Sequence, residues 1–476
     1  MNEYRTVPLH LFQTWHSLTL PPLMTQCVNR LRQVNPEFVY HLYDDAMCRE
    51  FIKSNFDSEV VYAYDTLIPG AYKADLWRYC ILYVYGGIYL DIKYRCVSPF
   101  KLIELTTHEQ YVRDREYAGN DGIYQALMVS YPKNPILYSC IQKIVSYVKQ
   151  NHYGESCLFI GPQLVGSYFS KSELDQMNMK FIGTGITRKG QMILDIYPEY
   201  RHELRRSSRK KHYSELWLER NIYDYSKLIP CEVKTVPILD IVHAICLTPT
   251  TVVYITKQKT NHVISYTDKW GMCEFLPSHY KSIQVYHHEG RSYMVGLQDT
   301  PRGSKIYSGI YNESARLIRP VFHNSAVSET LWCMATYQDK PCILYSWYPL
   351  QVAQIHYEKG TLSILQTHYH VPPFFKDLYA ATASVPWNGT QWVVLVKPNG
   401  YVVQNKLHIK NDYLWVVLNS SAEVIKYSEF FKEGIVTGLH VDASGITLVT
   451  THGKCCLSTY TWKIIEDLRW TYNEAL

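Results

Sequence analysis

The spacing of apolar positions changes character along the chain. Up to about residue 225 short strand-like runs alternate with segments of helical period, and from about residue 238 helical spacing nearly vanishes. Residues 9–14 and 38–43 read as strands and 22–34 and 47–55 as helices, with Asn35-Pro36 and Asp44-Asp45 as stops. The strongest helix covers residues 70–83, where Leu76, Tyr79, Cys80 and Tyr83 recur at helical spacing and define a buried face. Gly86-Gly87 ends it, residues 88–91 form a short buried strand, and 136–149 carry another amphipathic helix behind Pro132 and Pro135. This alternation predicts an α/β domain with a mainly parallel sheet.

The second half predicts an all-β domain. Turn clusters at Thr248-Pro249, Glu289-Gly290, Asp339-Lys340, Asn388-Gly389 and Ser444-Gly445 separate runs rich in Val, Ile, Tyr and Thr. Their period, roughly 40 to 55 residues, is that of a propeller blade or a sandwich strand pair. Five such units favour a five-bladed β-propeller. The boundaries expected are 1–226 for the first domain, 227–237 for a linker with two prolines and no periodicity, and 238–476 for the second. Trp347, Tyr348, Trp387 and Trp392 could stack on sugars, although strand aromatics more often pack.

Composition narrows the class. The 48 basic and 43 acidic residues leave a net charge of +5, and the one basic run, from Arg205-Arg206 to Lys210-Lys211, is short enough to read as a solvated loop. No nucleic-acid partner is expected. No stretch reaches the roughly 20 apolar residues of a membrane span, and the N-terminus lacks the apolar core of a signal peptide. A soluble, intracellular protein is expected. The 13 cysteines are scattered without a CxxC pair, which fits reduced thiols, and the sequons at Asn312, Asn388 and Asn419 read as chance matches.

The candidate chemistry sits in PGAYKADLWRYCILYVYGGIYLDIK, residues 69–93. Asp75 and Arg78 share a helix face just before a glycine turn and a strand that ends in Asp91. Taken alone the pair reads as a surface ion pair. A carboxylate at the C-terminal end of a parallel strand, however, lies where α/β sheets bind ligands, and carboxylates with a guanidinium can grip sugar hydroxyls.

This block resembles the DXD sugar-binding glycosyltransferases of family 32. The likeness extends to LFQTW at residues 11–15, Asn35-Pro36-Glu37, Tyr43-Asp44-Asp45, residues 122–137 and LFIGPQL at 158–164. It implies a GT-A type fold, a UDP- or GDP-hexose donor, and transfer with retention to a glycan, protein or lipid-linked acceptor. It also implies that Trp15 lies against the base and that Asp75 and Arg78 hold the donor sugar. Gly86 and Gly87 would bring backbone close to the ligand or the neighbouring helix, His212 and Trp217 would close over the donor phosphate, and Asp91 would be the first aspartate of the motif.

Lys93 departs from that pattern, since the second aspartate would bind Mn²⁺ or Mg²⁺. Three readings stay open: Lys93 replaces the metal, Asp91 binds one with help from elsewhere, or Lys93 points away. The β-rich half is similar to the propeller of two-part proteins of giant DNA viruses, at residues 343–354, 372–377 and 424–431. The reading favoured by the sequence is a retaining hexosyltransferase. Its alternative is a glycan-binding or scaffold protein with a decayed transferase domain.

Overall fold

The computed structural model describes residues 7–115, 121–207, 211–239, 241–248, 251–256, 264–266, 280–289, 291–301, 303–311, 317–323, 332–357, 359–403, 406–451 and 454–473. Thr248-Pro249, Glu289-Gly290, the sequon at Asn312 and the middle of the basic run at 208–210 fall wholly or partly outside them. The chain divides into two units, residues 1–224 with 401–407, and residues 225–400 with 408–476.

The first unit is built in the order β1 (His10–Thr14), α1 (Pro22–Val34), β2 (Val39–Tyr43), α2 (Asp45–Asn55), α3 (Ser58–Thr66), α4 (Gly70–Tyr85), β3 (Gly87–Leu90), β4 (Tyr94–Cys96), β5 (Val112–Arg113), β6 (Leu127–Ser130) and α5 (Pro135–Lys149). Then come α6 (Pro162–Gly166), α7 (Lys171–Asp175), β7 (Met179–Ile182), β8 (Gly185–Arg188), β9 (Gln191–Ile196), α8 (Tyr200–Ser207) and α9 (Tyr213–Leu218). Its principal sheet has the order β2-β1-β3-β6, with β1 parallel to β2 and β3 and with β6 antiparallel to β3. A second sheet, β4-β9-β8-β7-β5, is almost entirely antiparallel.

Local signals explain the elements around the site. The Asp44 side chain caps α2 by accepting from Met47 N at 2.8 Å. Helix α4 is buried from Asp75 through Leu82, more completely than a single apolar stripe would give, so it is a core helix. Gly86 closes it at φ 65°, its N–H bonded to Leu82 O at 2.8 Å. Leu11, Ile88, Leu90, Leu127 and Val129 form part of one apolar cluster beneath the sheet.

The second unit is all-β. Ile241–Thr248, Thr251–Thr256 and Ile264–Tyr266 form one antiparallel sheet. Tyr280–His288, Arg291–Thr300, Gly303–Tyr311 and Leu317–His323 form a second, paired in chain order. A third, also in chain order, comprises Cys333–Tyr337, Lys340–Trp347, Leu350–His356 and Thr361–His368. The fourth is larger and centres on Thr390–Val403 and Lys406–Leu418. The fifth joins Ile435–Asp442, Gly445–Thr451 and Lys454–Thr461 to Glu232–Leu239.

That last pairing corrects the expected linker. Residues 232–237 are part of a strand, and its partner lies more than 200 residues away. Pro237 sits where the pairing register shifts, between Val236 and Leu239, on a strand that among the described residues pairs with Lys454–Thr461 alone. An edge strand with a bulge is where a sheet tolerates proline.

Tight turns are better anticipated. Gln338 and Asp339 both have positive φ, 48° and 58°, and so do Asn388 and Gly389, 47° and 74°, each pair joining two strands as a two-residue hairpin loop. Trp347 and Trp392 are buried, and Trp392 touches Trp415, Trp462 and Trp470, so these two rings pack. Tyr348 is exposed, and Trp387 stacks on Trp462. The eleven cysteines whose side chains are described are free thiols, and no described helix is long and apolar enough to cross a membrane.

Candidate active site

Because β1, β2 and β3 run parallel, their C-terminal ends share one edge of the sheet, where α/β folds bind ligands. Asp91 follows β3 at that edge, its N–H bonded to Ala126 O at 2.7 Å. Phe12 pairs with Tyr89, which puts Trp15 at the same edge, and Gln13 Nε2 ties β1 to Leu90 O at 3.2 Å. Trp15 is buried with Ile92 and Tyr197, meets the His16 ring at a tilt with centres 4.7 Å apart, and has no hydrogen-bond partner for its indole N–H among the described residues.

Asp75 and Arg78 come to the site on α4. Arg78 is its hub. Nη1 lies 3.1 Å from Asp75 Oδ1 and donates to the Gln125 carbonyl at 3.1 Å, Nε donates to Ala74 O at 3.2 Å, and Nη2 stands 3.7 Å from Asp91 Oδ1. The guanidinium also lies 4.4 Å from the centre of the Tyr89 ring. Asp91 is gripped from two sides: the Tyr89 hydroxyl donates to Oδ1 at 2.9 Å and the Lys93 ammonium to Oδ2 at 2.7 Å. Lys93 thus does not point away. It belongs to a turn after β3, which frees it from strand alternation, and its ammonium is 5.4 and 5.5 Å from the ring centres of Tyr94 and Tyr124.

These contacts set the charges. Burial opposes ionisation of Asp91, yet Lys93 and Arg78 outweigh it and hold the carboxyl down at about 2. Burial pushes Asp75 up to about 7 against the pull of Arg78, with Asp91 adding to the rise. Burial also works against the Lys93 charge, and Asp91 more than offsets it, so the ammonium is held above the ordinary lysine range.

The glycines have another role. A Cβ on Gly86 would stand 2.6 Å from Pro132 Cδ, and one on Gly87 would stand 2.7 Å from His10 O. Both sit at the start of β3, the end opposite Asp91, so their need for hydrogen in place of a side chain comes from the turn and from β1 and Pro132, not from a ligand. His212 caps α9, with Ser214 N donating to its Nδ1 at 3.3 Å. The Trp217 indole donates to Tyr153 O at 2.6 Å, and Tyr213 meets Tyr72 on α4 at 5.8 Å between ring centres. Helix α9 therefore lies beside α4, while among the described residues no hydrogen bond or ion pair joins His212 or Trp217 to Asp75 or Asp91.

Tyr89 and Gln125 were not foreseen from the sequence. Tyr89 is two residues before Asp91, so strand alternation alone puts both on one face. Gln125 had only its place in the 122–129 block as a signal.

Residues 21–112 match the family model of the glycosyltransferase sugar-binding region containing the DXD motif. Inositol phosphoceramide mannosyltransferase 3 of Schizosaccharomyces pombe is 33% identical over 152 residues, 32% of this chain and 41% of its own length. An uncharacterized glycosyltransferase of Acanthamoeba polyphaga mimivirus is 33% identical over 92 residues, 19% of this chain and 37% of its own. Mannosyl phosphorylinositol ceramide synthase SUR1 of Saccharomyces cerevisiae is 27% identical over 146 residues, 30% and 36% of the two chains. This chain thus spans about two fifths of the curated relatives it matches. The solved PaToxG glycosyltransferase aligns with 34% of this chain and 69% of its own at 15% identity and a TM-score of 0.26, which establishes no shared fold.

A DXD motif holds a divalent cation through two carboxylates, and here the sequence reads Asp91-Ile92-Lys93. The residues present do not make that site. Both Asp91 oxygens already accept from donors, a cation occupies the second position, and the described residues include no cluster of three or more His, Cys, Asp or Glu that could hold a metal.

Proposed function

We propose that this chain is a retaining hexosyltransferase that takes an activated hexose from a UDP- or GDP-sugar and passes it to a hydroxyl acceptor. The observation that carries the reading is the joined set Asp75, Arg78, Asp91 and Lys93 at the strand edge, in a segment matching a glycosyltransferase sugar-binding region. The curated relatives' names point to mannose as the sugar and to an inositol phosphoceramide lipid as one class of acceptor.

In this reading Asp75 and Arg78 hold the donor sugar, Trp15 lies against the base, and the α9 segment with His212 and Trp217 borders the phosphate. Asp91 fixes Lys93, and Lys93 with Arg78 meets the charge that develops on the diphosphate. The bond between the anomeric carbon and the phosphate oxygen breaks with its electrons going to phosphate. The acceptor oxygen then bonds to that carbon on the same face, and its proton passes to the departing phosphate, so no separate base is needed. Fixed positive charge from the chain does the work that a DXD cation would otherwise do.

The second unit we read as a five-bladed β-propeller beginning near residues 227–237. The five sheets among its described residues support this, as does the way Glu232–Leu239 completes the sheet made by the last long strands. Ile241–Thr248 lies beside both Tyr280–His288 and Ile435–Asp442, Tyr280–His288 beside Cys333–Tyr337, and Val385–Trp387 beside Ile435–Asp442. Ser384 N donates to Met334 O at 2.8 Å, which links the third and fourth sheets.

The test is turnover of a panel of UDP- and GDP-hexoses, with a ceramide-linked inositol phosphate among the acceptors. Hydrolysis or transfer that Asp91→Asn abolishes supports the enzyme. Nucleotide-sugar binding without turnover would favour a glycan-binding protein with a decayed transferase domain.

A further inference from the structure

Lys93 follows β3 in a turn, so neither strand nor helix geometry aims its side chain. Among the described residues its ammonium has one hydrogen-bond acceptor, Asp91 Oδ2 at 2.7 Å. Two aromatic rings narrow the freedom that one tether leaves to a flexible four-carbon stem. The ammonium lies 5.4 Å from the centre of the Tyr94 ring and 5.5 Å from that of Tyr124, within reach of a cation–π attraction to each. The two rings stand at 86° with centres 6.4 Å apart, and their hydroxyls share a hydrogen bond of 2.9 Å. They make a corner, locked at its hydroxyl end, with the ammonium over both rings.

The walls of the corner come from different parts of the fold. Tyr94 opens β4 and is fully buried. Tyr124 lies in the connection before β6, where its N–H donates to Val112 O of β5 at 2.7 Å, so no regular element aims its ring. Phe181 of β7 does so instead, stacked face to face on Tyr124 with centres 3.8 Å apart and planes 4° from parallel. Ring quadrupoles disfavour such a stack, and cations over its rings offset that. Here the Arg115 guanidinium lies 4.2 Å from the Phe181 centre, and the Lys93 ammonium lies over Tyr124, so each ring of the stack carries a positive charge beside it.

We propose that Tyr124 is a positioning residue for the transfer: with Tyr94 it holds the Lys93 ammonium beside Asp91, and Phe181 keeps Tyr124 in place. The catalytic consequence rests on the glycosyltransferase reading, whereas the corner itself does not. A ring face attracts charge without taking a directed hydrogen bond, so ammonium hydrogens remain for an oxygen of the diphosphate. An ammonium already held where negative charge develops needs no rearrangement as the bond to phosphate breaks. Tyr124 thus acts through Lys93 and not on the sugar.

The experiment uses the full chain, carbon-13 labelled at the lysine Cε, as wild type, Tyr124→Phe and Tyr124→Leu, with Lys93→Met identifying the Lys93 signal. Ring currents shift protons over a ring face upfield, so the Lys93 ε-protons should lie upfield of the other lysines in wild type and Tyr124→Phe and move back in Tyr124→Leu. With the UDP- or GDP-hexose that wild type turns over fastest, Tyr124→Leu should lower kcat about tenfold and leave the donor KM within about twofold. Tyr124→Phe, which keeps the ring, should stay within about threefold of wild type. A Lys93 signal unmoved in Tyr124→Leu, a Tyr124→Phe loss as large as that of Tyr124→Leu, or a rise in KM at unchanged kcat overturns the proposal. If Tyr124→Leu does not fold, Phe181→Leu replaces it: loosening the stack should move the Lys93 signal part of the way, and an unmoved signal overturns the corner. A wild type that turns over no nucleotide-sugar overturns the transferase reading itself, and the Lys93 signal then decides the corner alone.

Discussion

Lys93 Nζ lies 2.7 Å from Asp91 Oδ2, so the position where a DXD motif carries its second carboxylate holds a cation bound to the first. The pair is mostly buried, with side-chain exposures of 18% and 23%. In the proposed reading this puts fixed positive charge where the diphosphate leaves.

Replacing Lys93 by Met should reduce transfer by about two to three orders of magnitude, the range for removing one stabiliser of developing charge. It also removes the largest of the influences from Lys93, Arg78 and Tyr89 that hold Asp91 down at about 2, so the Asp91 carboxyl should titrate at higher pH. Nuclear magnetic resonance titration of that carboxyl checks this, and an unchanged titration would separate Lys93 from Asp91.

Asp91→Asn should abolish transfer and also destabilise the fold by about 1–3 kcal/mol, because the ammonium and guanidinium that face Asp91 lose its charge in a buried setting. Denaturant unfolding of the single variants and of Asp91→Asn with Lys93→Met measures it. The double variant should recover part of the loss, since no lone charge remains.

Asp75 gives a pH signature. Its folded value is about 7 and its ordinary value 3.8, so between those limits the folded state keeps a proton that the unfolded state has released. Stability should therefore fall as pH rises from about 4 to about 7 and level off above, by up to about 3–4 kcal/mol. Arg78, Lys93 and Asp91 are the charged groups acting on it. Asp75→Asn should remove this slope in thermal unfolding scans, and a slope that persists would assign it elsewhere.

Gly87→Ala tests the packing role of the turn. At φ 109° with His10 O in the way, alanine should cost about 1–3 kcal/mol in stability. The folded fraction should keep its affinity for nucleotide, because the substitution lies at the far end of β3 from Asp91.

Much of this architecture was legible from short-range pattern. Leu76, Tyr79, Cys80 and Tyr83 marked α4, the glycines marked its end, and the resemblance carried Asp75, Arg78 and Asp91 to the same edge, where the structure joins them through Arg78. What stayed hidden depends on distant pairing. Gln125 reaches Arg78 because β6 folds back on β3 with Leu90 opposite Leu127, a register that no local spacing encodes. Residues 227–237 looked like a linker because they hold two prolines and no periodicity, while the strand identity of 232–237 comes from Lys454–Thr461 at the other end of the unit. The orientation of Lys93 was equally undecidable, since a residue in a turn obeys neither strand nor helix alternation.

The most direct measurement is turnover of UDP- and GDP-hexoses by wild type and Lys93→Met, each with and without EDTA. EDTA should leave wild-type turnover unchanged within about twofold, and Lys93→Met should lower it at least about a hundredfold. Turnover abolished by EDTA and restored by Mn²⁺, with Lys93→Met as active as wild type, would show that a metal and not Lys93 meets the diphosphate charge.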